Sequence, residues 1–155
     1  MAFRLRSPAF DDGSMIPERY TCMGEDISPP LAWQAPPPRT ESFALVCRDS
    51  DADRGTFHHW GICNTAADQR RQPEAVACDA ESPAGLRHTS NDFGREDYAG
   101  LCPPKGHGVH HYHFRLMALD VERLDLGKGA SCAEVVQAAE QHALAATEFV
   151  GLFQR

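Results

Sequence analysis

Residues Pro103–Leu119 read PPKGHGVHHYHFRLMAL, and the second half of this stretch decides the fold. From His110 onward, Tyr112, Phe114, Leu116 and Ala118 share one parity, while His111, His113, Arg115 and Met117 share the other. Side chains alternate faces along a strand. Tyr112–Leu119 therefore reads as a strand whose more apolar face, carrying His110, points inward. The same parity sends His111 and His113 outward to solvent. The first half, Pro103-Pro104-Lys105-Gly106, reads as a stiff turn, in which His107 has no assigned face.

Outward from this strand, Ser42–Arg48 (within SFALVCRD) and Trp60–Asn64 (WGICN) read as two more apolar strands. Eleven prolines and 12 glycines punctuate the chain and break its first two-thirds into short pieces. Short apolar runs between such breakers predict a mostly β domain. Ser131-Cys132-Ala133-Glu134 fits a capping box, and Val135, Val136, Ala139 and Ala143 continue at helical spacing. This predicts a helix over 131–143, followed by a last strand over 145–153. The 155 residues fit one domain spanning 1–155, with no internal repeat.

The formal net charge of −7 argues against a nucleic-acid partner, which requires clustered Lys and Arg. It leaves room for one phosphate-sized site, because a pocket's local field can oppose the net charge. The opening MAFRLRSPAFDDG lacks the roughly 7–15 residue apolar run of an export signal. No stretch approaches the ~18 apolar residues of a membrane span. The expected location is the cytoplasm. The six cysteines form no Cys-x-x-Cys pair, so a zinc knot is not expected. Cys47 and Cys63 sit in strand-like runs and read as buried thiols. Cys22 and Cys102 lie in loop-like sequence within possible reach of each other, but in a reducing compartment most of the cysteines are expected to be free.

Two segments concentrate polar groups in apolar surroundings: DSDADRGTFHHWGICN (Asp49–Asn64) and the histidine-rich stretch that begins the strand at 110. Three chemistries fit these residue types. Metal binding needs three or four converging ligands, yet strand parity separates His111 and His113 from His110, so no metal and no cofactor are expected. A hydrolase would need a nucleophile. There is no Gly-x-Ser-x-Gly elbow, and only Cys102 with His110 as base is conceivable. The third is an anion pocket, in which His59, His110 and Tyr112 donate to an oxyanion and Asp49 holds a histidine in its donor state. Residue by residue, this pocket and a pair of satisfied core histidines remain open alternatives.

Several ordered segments resemble the phosphatidylethanolamine-binding protein family, which includes Raf kinase inhibitor protein, and its bacterial branch in particular. The family's Asp-Pro-Asp-x-Pro loop followed by His-Trp is matched by Asp49-Ser50-Asp51-Ala52-Asp53 and His59-Trp60. Its Pro-Pro-x-Gly turn followed by Gly-x-His-Arg-Tyr is matched by Pro103–Gly106 and Gly108-Val109-His110-His111-Tyr112. YTCMGEDISPPLAW (Tyr20–Trp33), NDFGR (Asn91–Arg95) and YAGLCPPKG (Tyr98–Gly106) add to the likeness, which spans nearly the whole chain. The resemblance implies a mainly β, antiparallel sandwich-like fold with one or two short helices and a small anion pocket at one end. By position, that pocket comprises Asp49, His59, Pro103, His110 and Tyr112, with Asp51 bracing the loop. Ser50 and Asp53 replace the usual prolines, and His111 replaces the usual arginine. The implied role is binding of a small anionic or phosphorylated ligand without catalysis, with a protein kinase or protease as a further partner. A hydrolase using the same pocket is the alternative, and the oligomeric state, a homodimer included, is left open.

Overall fold

The computed structural model describes residues 2–53, 55–76 and 86–155. Its strands are β1 (Arg4–Arg6), β2 (Leu31–Gln34), β3 (Ser42–Ala52), β4 (Gly55–Ala66), β5 (Arg71–Gln72), β6 (Arg87–His88), β7 (His110–Leu119) and β8 (Ala143–Phe153). One α-helix, α1 (Cys132–Glu140), and a short 3-10 turn at Glu18–Tyr20 complete the described elements. Strands β1, β2 and β5 form a small sheet, and the larger sheet runs β6-β4-β3-β7-β8, antiparallel throughout. The fold is mainly β, as the sequence predicts.

The alternation in β7 explains the layering. Tyr112, Phe114, Leu116 and Ala118 join Phe43, Leu45 and Cys47 of β3 and Trp60 and Ile62 of β4 in one core, which also takes Leu5, Leu31 and Trp33 from the small sheet. The opposite face of the large sheet is apolar only toward one end. There Ala44, Val46, Met117 and Leu119 lie beneath Val135 and Ala139 of α1. Toward the other end, the same face carries His111, His113 and Arg115. One strand thus has a two-sided apolar half and a one-sided half, and the helix covers the first.

The helix starts where the sequence predicts. Ser131 caps it, its Oγ accepting from the Glu134 N–H at 3.1 Å. It is shorter than predicted, because the chain turns at Gln141 and enters β8 at Ala143. Ala143 pairs with Leu119 of β7, so cross-strand hydrogen bonds take over from helical spacing.

The acidic stretch Asp49–Asp53 corrects a second expectation. Most of it is strand rather than loop: β3 continues through Asp49 to Ala52, with Asp49 opposite both Phe57 and Tyr112. With Asp49 paired on both sides and Ala52 paired to Gly55 of β4, the backbone here stays extended without the prolines that usually stiffen it.

Cysteine pairing, left open in the sequence, is resolved for one pair. Cys22 and Cys102 form a disulfide across 80 residues. The two loops meet because Cys22 N–H donates to the Leu101 carbonyl and the Tyr98 hydroxyl donates to the Tyr20 carbonyl. Cys47, Cys63 and Cys132 are free and buried, while Cys78 lies outside the described residues. Burial pushes the Cys63 and Cys132 thiols up to about 11, away from reactive thiolate.

Candidate functional site

At one end of the large sheet, β3, β4 and β7 open onto a pocket of about 200 Å³. Asp49, His59, Pro103, His110 and Tyr112 all line it, together with Asp53, Phe57, Phe93 and Cys102. The structure therefore brings together all five residues named from the sequence.

Each arrives by a local cause. His110 and Tyr112 come from the inward parity of β7. His59 comes from a β-bulge: Cys47 pairs with Trp60 and Arg48 with His58, so His59 is an extra residue in β4. A bulge re-aims a side chain. Here it lets His59 and Trp60, adjacent in sequence, both serve the inner side, His59 on the pocket and Trp60 in the core. Pro103 is held by Arg155, whose Nε donates to the Pro103 carbonyl at 2.7 Å. Gly106 and Gly108, at φ 74° and 91°, carry the chain through backbone that favours glycine before β7 begins.

The hydrogen bonds fix several protons. Asp49 accepts from the His110 Nδ1–H at 2.6 Å and, through its other oxygen, from the Asp51 N–H at 2.8 Å. His59 Nδ1–H donates to the Ala99 carbonyl at 2.8 Å, which leaves Nε2 as the nitrogen free to act. A carbonyl can only accept, so the neutral ring presents a lone pair at Nε2 and becomes a donor there only when protonated. Burial lowers the His59 pKa, against smaller raising effects from the Ala99 carbonyl and Asp49. Tyr112 is fully buried, and its hydroxyl has no hydrogen-bond partner among the described residues. Burial also pushes its phenol well above the ordinary range, so the hydroxyl keeps its proton and remains a donor.

His107, unassigned in the sequence, sits on this site. Its Nδ1 lies 2.6 Å from His110 Nε2, and its Nε2 lies 3.0 Å from Asp53 Oδ1. The side chains thus run Asp49–His110–His107–Asp53 from the buried floor to the rim.

Asp51 faces the other way. Its Oδ2 accepts from the His111 backbone N–H at 2.6 Å and contacts His111 Nδ1 at 2.8 Å, linking the end of β3 to the start of β7. Burial alone would raise its pKa, but the His111 contacts outweigh that and lower it. His111 is exposed as predicted. His113 is only partly so: on the outer face, it is bracketed by Glu148 at 2.7 Å and Ser50 at 2.9 Å.

Sequence reasoning missed Phe57 and Phe93. Their rings meet at 4.7 Å and both flank His59, at 4.8 and 5.7 Å. Phe93 is presented by Asn91, whose side-chain oxygen accepts from the Phe93 and Arg95 N–H groups. The NDFGR stretch held that signal, as an Asn-led turn followed by an aromatic residue. Cys102, weighed as a nucleophile, is committed to the disulfide. Among the described residues, no three His, Cys, Asp or Glu side chains form a metal-ligand group, and no helix is long and apolar enough to cross a membrane.

A family model described as phosphatidylethanolamine-binding protein matches residues 6–154. The chain belongs to the phosphatidylethanolamine-binding protein family. Among its relatives, a UPF0098 protein of Methanothermobacter thermautotrophicus is 44% identical over 151 residues, covering 97% of this chain and 98% of that one. The Escherichia coli UPF0098 protein YbhB is 38% identical over 157 residues, covering 97% and 99%. The crystal structure of E. coli YbcL, described as a member of the mammalian PEBP family, superposes with a TM-score of 0.93 at 28% identity, over 100% of this chain and 99% of that one. The family's two-sheet architecture and the bacterial likeness read from the sequence both agree with these matches.

Proposed function

We propose that this family member binds a small oxyanion, as a phosphate or phosphate ester, in the pocket of Asp49, His59, Pro103, His110 and Tyr112, without turnover. The observation that carries this reading is the Tyr112 hydroxyl, buried without a partner and lining a pocket shared with two histidines. Buried polar groups are normally paired, so a lone donor beside a cavity points to a ligand oxygen. The Phe57 and Phe93 rings give the mouth an apolar side suited to the carbon part of an ester. Control of a kinase or protease, implied by the family resemblance, would act through the same pocket if the phosphate is carried on a protein.

Sulfate titration by calorimetry at pH 6 tests the reading. His110→Ala is expected to weaken binding roughly tenfold or more, the worth of one charge-assisted hydrogen bond. His113→Ala, on the opposite face, is expected to change it little. Equal losses for both variants would defeat the pocket.

One observation favours hydrolysis as a second reading: Asp49 holds His110 as it would hold a general base. Turnover of a phosphate-ester or carboxylic-ester panel that vanishes in His110→Ala would establish it. The cytoplasm is the compartment proposed from the sequence. The Cys22–Cys102 bond weighs against it, since structural disulfides are rare in reducing compartments.

A further inference from the structure

An imidazole has two nitrogens, and each makes one in-plane hydrogen bond. In His110 both are taken: Nδ1 by Asp49 and Nε2 by His107, each at 2.6 Å. The nitrogen that would hold an anion is therefore already occupied by a side chain of the same molecule. We propose that His107 is the gate of the pocket: an oxyanion reaches His110 only by displacing the His107 ring from His110 Nε2. This rests on the anion-pocket reading and specifies how that pocket admits its ligand.

The arrangement has the makings of an exchangeable cap. His110 is held at its buried end by Asp49, with its side chain only 3% exposed. His107 stands at the rim, its side chain 39% exposed, between the two flanking glycines Gly106 and Gly108. Its outer nitrogen faces Asp53, itself 73% exposed, so the ring has a solvent-side anchor to keep when it swings off His110. The proton count is also favourable. With Asp49 and Asp53 both facing N–H groups, and one proton between the rings, the two imidazoles share three protons on four nitrogens. The pair then carries one positive charge between two carboxylates. When His107 leaves, that charge is available to an incoming oxyanion at His110 Nε2. A ligand must outcompete an imidazole nitrogen to enter, which favours sulfate- or phosphate-type oxyanions over neutral polar groups. The residues responsible are peculiar in sequence terms as well: Asp53 stands where proline is usual, and His107 lies in a turn that the strand pattern left unassigned.

The test compares sulfate and inorganic phosphate affinities of the wild-type chain, His107→Ala and Asp53→Asn by calorimetry at pH 6. Removing the His107 ring abolishes the competitor, so His107→Ala is expected to bind sulfate roughly tenfold more tightly, the worth of the hydrogen bond no longer broken on entry. Asp53→Asn, which removes an anchor the ring keeps both on and off His110, is expected to change affinity less than His107→Ala. Independently, nitrogen NMR of the ligand-free wild type should show a through-hydrogen-bond coupling between His107 Nδ1 and His110 Nε2 that disappears as sulfate saturates the protein. Unchanged or weaker binding by His107→Ala, or a coupling that persists at saturation, would overturn the gate while leaving the pocket reading standing. Binding by neither wild type nor His107→Ala would overturn the pocket reading and the gate with it.

Discussion

Asp49 and His110 meet at 2.6 Å between a carboxylate oxygen and Nδ1, with their side chains only 6% and 3% exposed. The pair joins neighbouring strands β3 and β7 at the floor of the pocket, so it ties the sheet together beneath the proposed site. Removing one member of a buried charged pair leaves the other without compensation. Asp49→Ala is therefore expected to lower the unfolding free energy by roughly 3–5 kcal/mol, read from urea denaturation. His113→Ala, which loses only contacts to partly exposed Glu148 and Ser50, is expected to stay within about 1 kcal/mol of wild type.

Tyr112→Phe separates stability from binding. The Tyr112 hydroxyl has no partner among the described residues, and deleting such a buried group is neutral or stabilising. Thermal unfolding of Tyr112→Phe without ligand should occur at or above the wild-type temperature. Its sulfate affinity should fall by roughly 2- to 12-fold, the range of one neutral hydrogen bond. A loss of stability without a loss of affinity would remove the hydroxyl from the site.

His59 gives the pocket a pH dependence of definite sign. Its Nδ1 proton is committed to Ala99, so Nε2 can donate to an anion only in the protonated ring, and burial disfavours that ring. Sulfate binding should therefore be accompanied by proton uptake, and affinity should rise as pH falls below about 6.5. Calorimetry in buffers of different ionisation enthalpy counts the proton, and His59→Ala should bind more weakly at low pH, with a flatter profile.

Folding stability measured without added ligand should respond to acid in the opposite sense. Burial lowers the pKa of both His59 and His88. Below the unfolded-state value of about 6.5, the unfolded chain binds protons that the folded chain resists. Stability without ligand should thus decline as pH falls from about 6.5 through the depressed folded-state values. Urea midpoints between pH 7.5 and 5 would show it, and a double His59→Ala, His88→Ala variant should lose part of the slope.

Reduction should be costly. A native disulfide typically stabilises by roughly 2–4 kcal/mol. Cys22→Ser with Cys102→Ser, or an excess of dithiol, is expected to lower the denaturation midpoint accordingly. Thiol counting on the oxidised denatured chain should find Cys22 and Cys102 unreactive.

What was legible in the sequence is what depends on local periodicity. Alternation in Tyr112–Leu119 put His110 and Tyr112 inside, and the Ser131 cap located α1. What was not legible depends on pairing between distant segments. The bulge at His59 exists because of its register against Cys47 and Arg48, and nothing within TFHHWG announces which of the adjacent histidines faces the pocket. The strand character of Asp49–Ala52 comes from the pairing of Asp49 with Phe57 and Tyr112 and of Ala52 with Gly55, not from its own acidic composition. Phe93 reaches the site through a turn 34 residues beyond His59. His113 lies on the predicted side of β7, but the Glu148 and Ser50 that half-cover it come from strands whose register had to be seen. The Cys22–Cys102 pair was named but not decided: its spacing carries no signature, and the inference of a reducing compartment weighed against it.

The disulfide also sorts the pocket by covalent topology. Asp49, Asp53, Phe57, His59 and Phe93 lie on the closed ring between Cys22 and Cys102, while Pro103, His107, His110 and Tyr112 lie on the tail that leaves it. The two halves of the pocket thus belong to different covalent segments that meet at one sulfur bridge on its wall. A peptide-bond cut anywhere between Asp49 and Cys102 leaves every one of these side chains on a single molecule while the bridge is oxidised, and divides them between two once it is reduced.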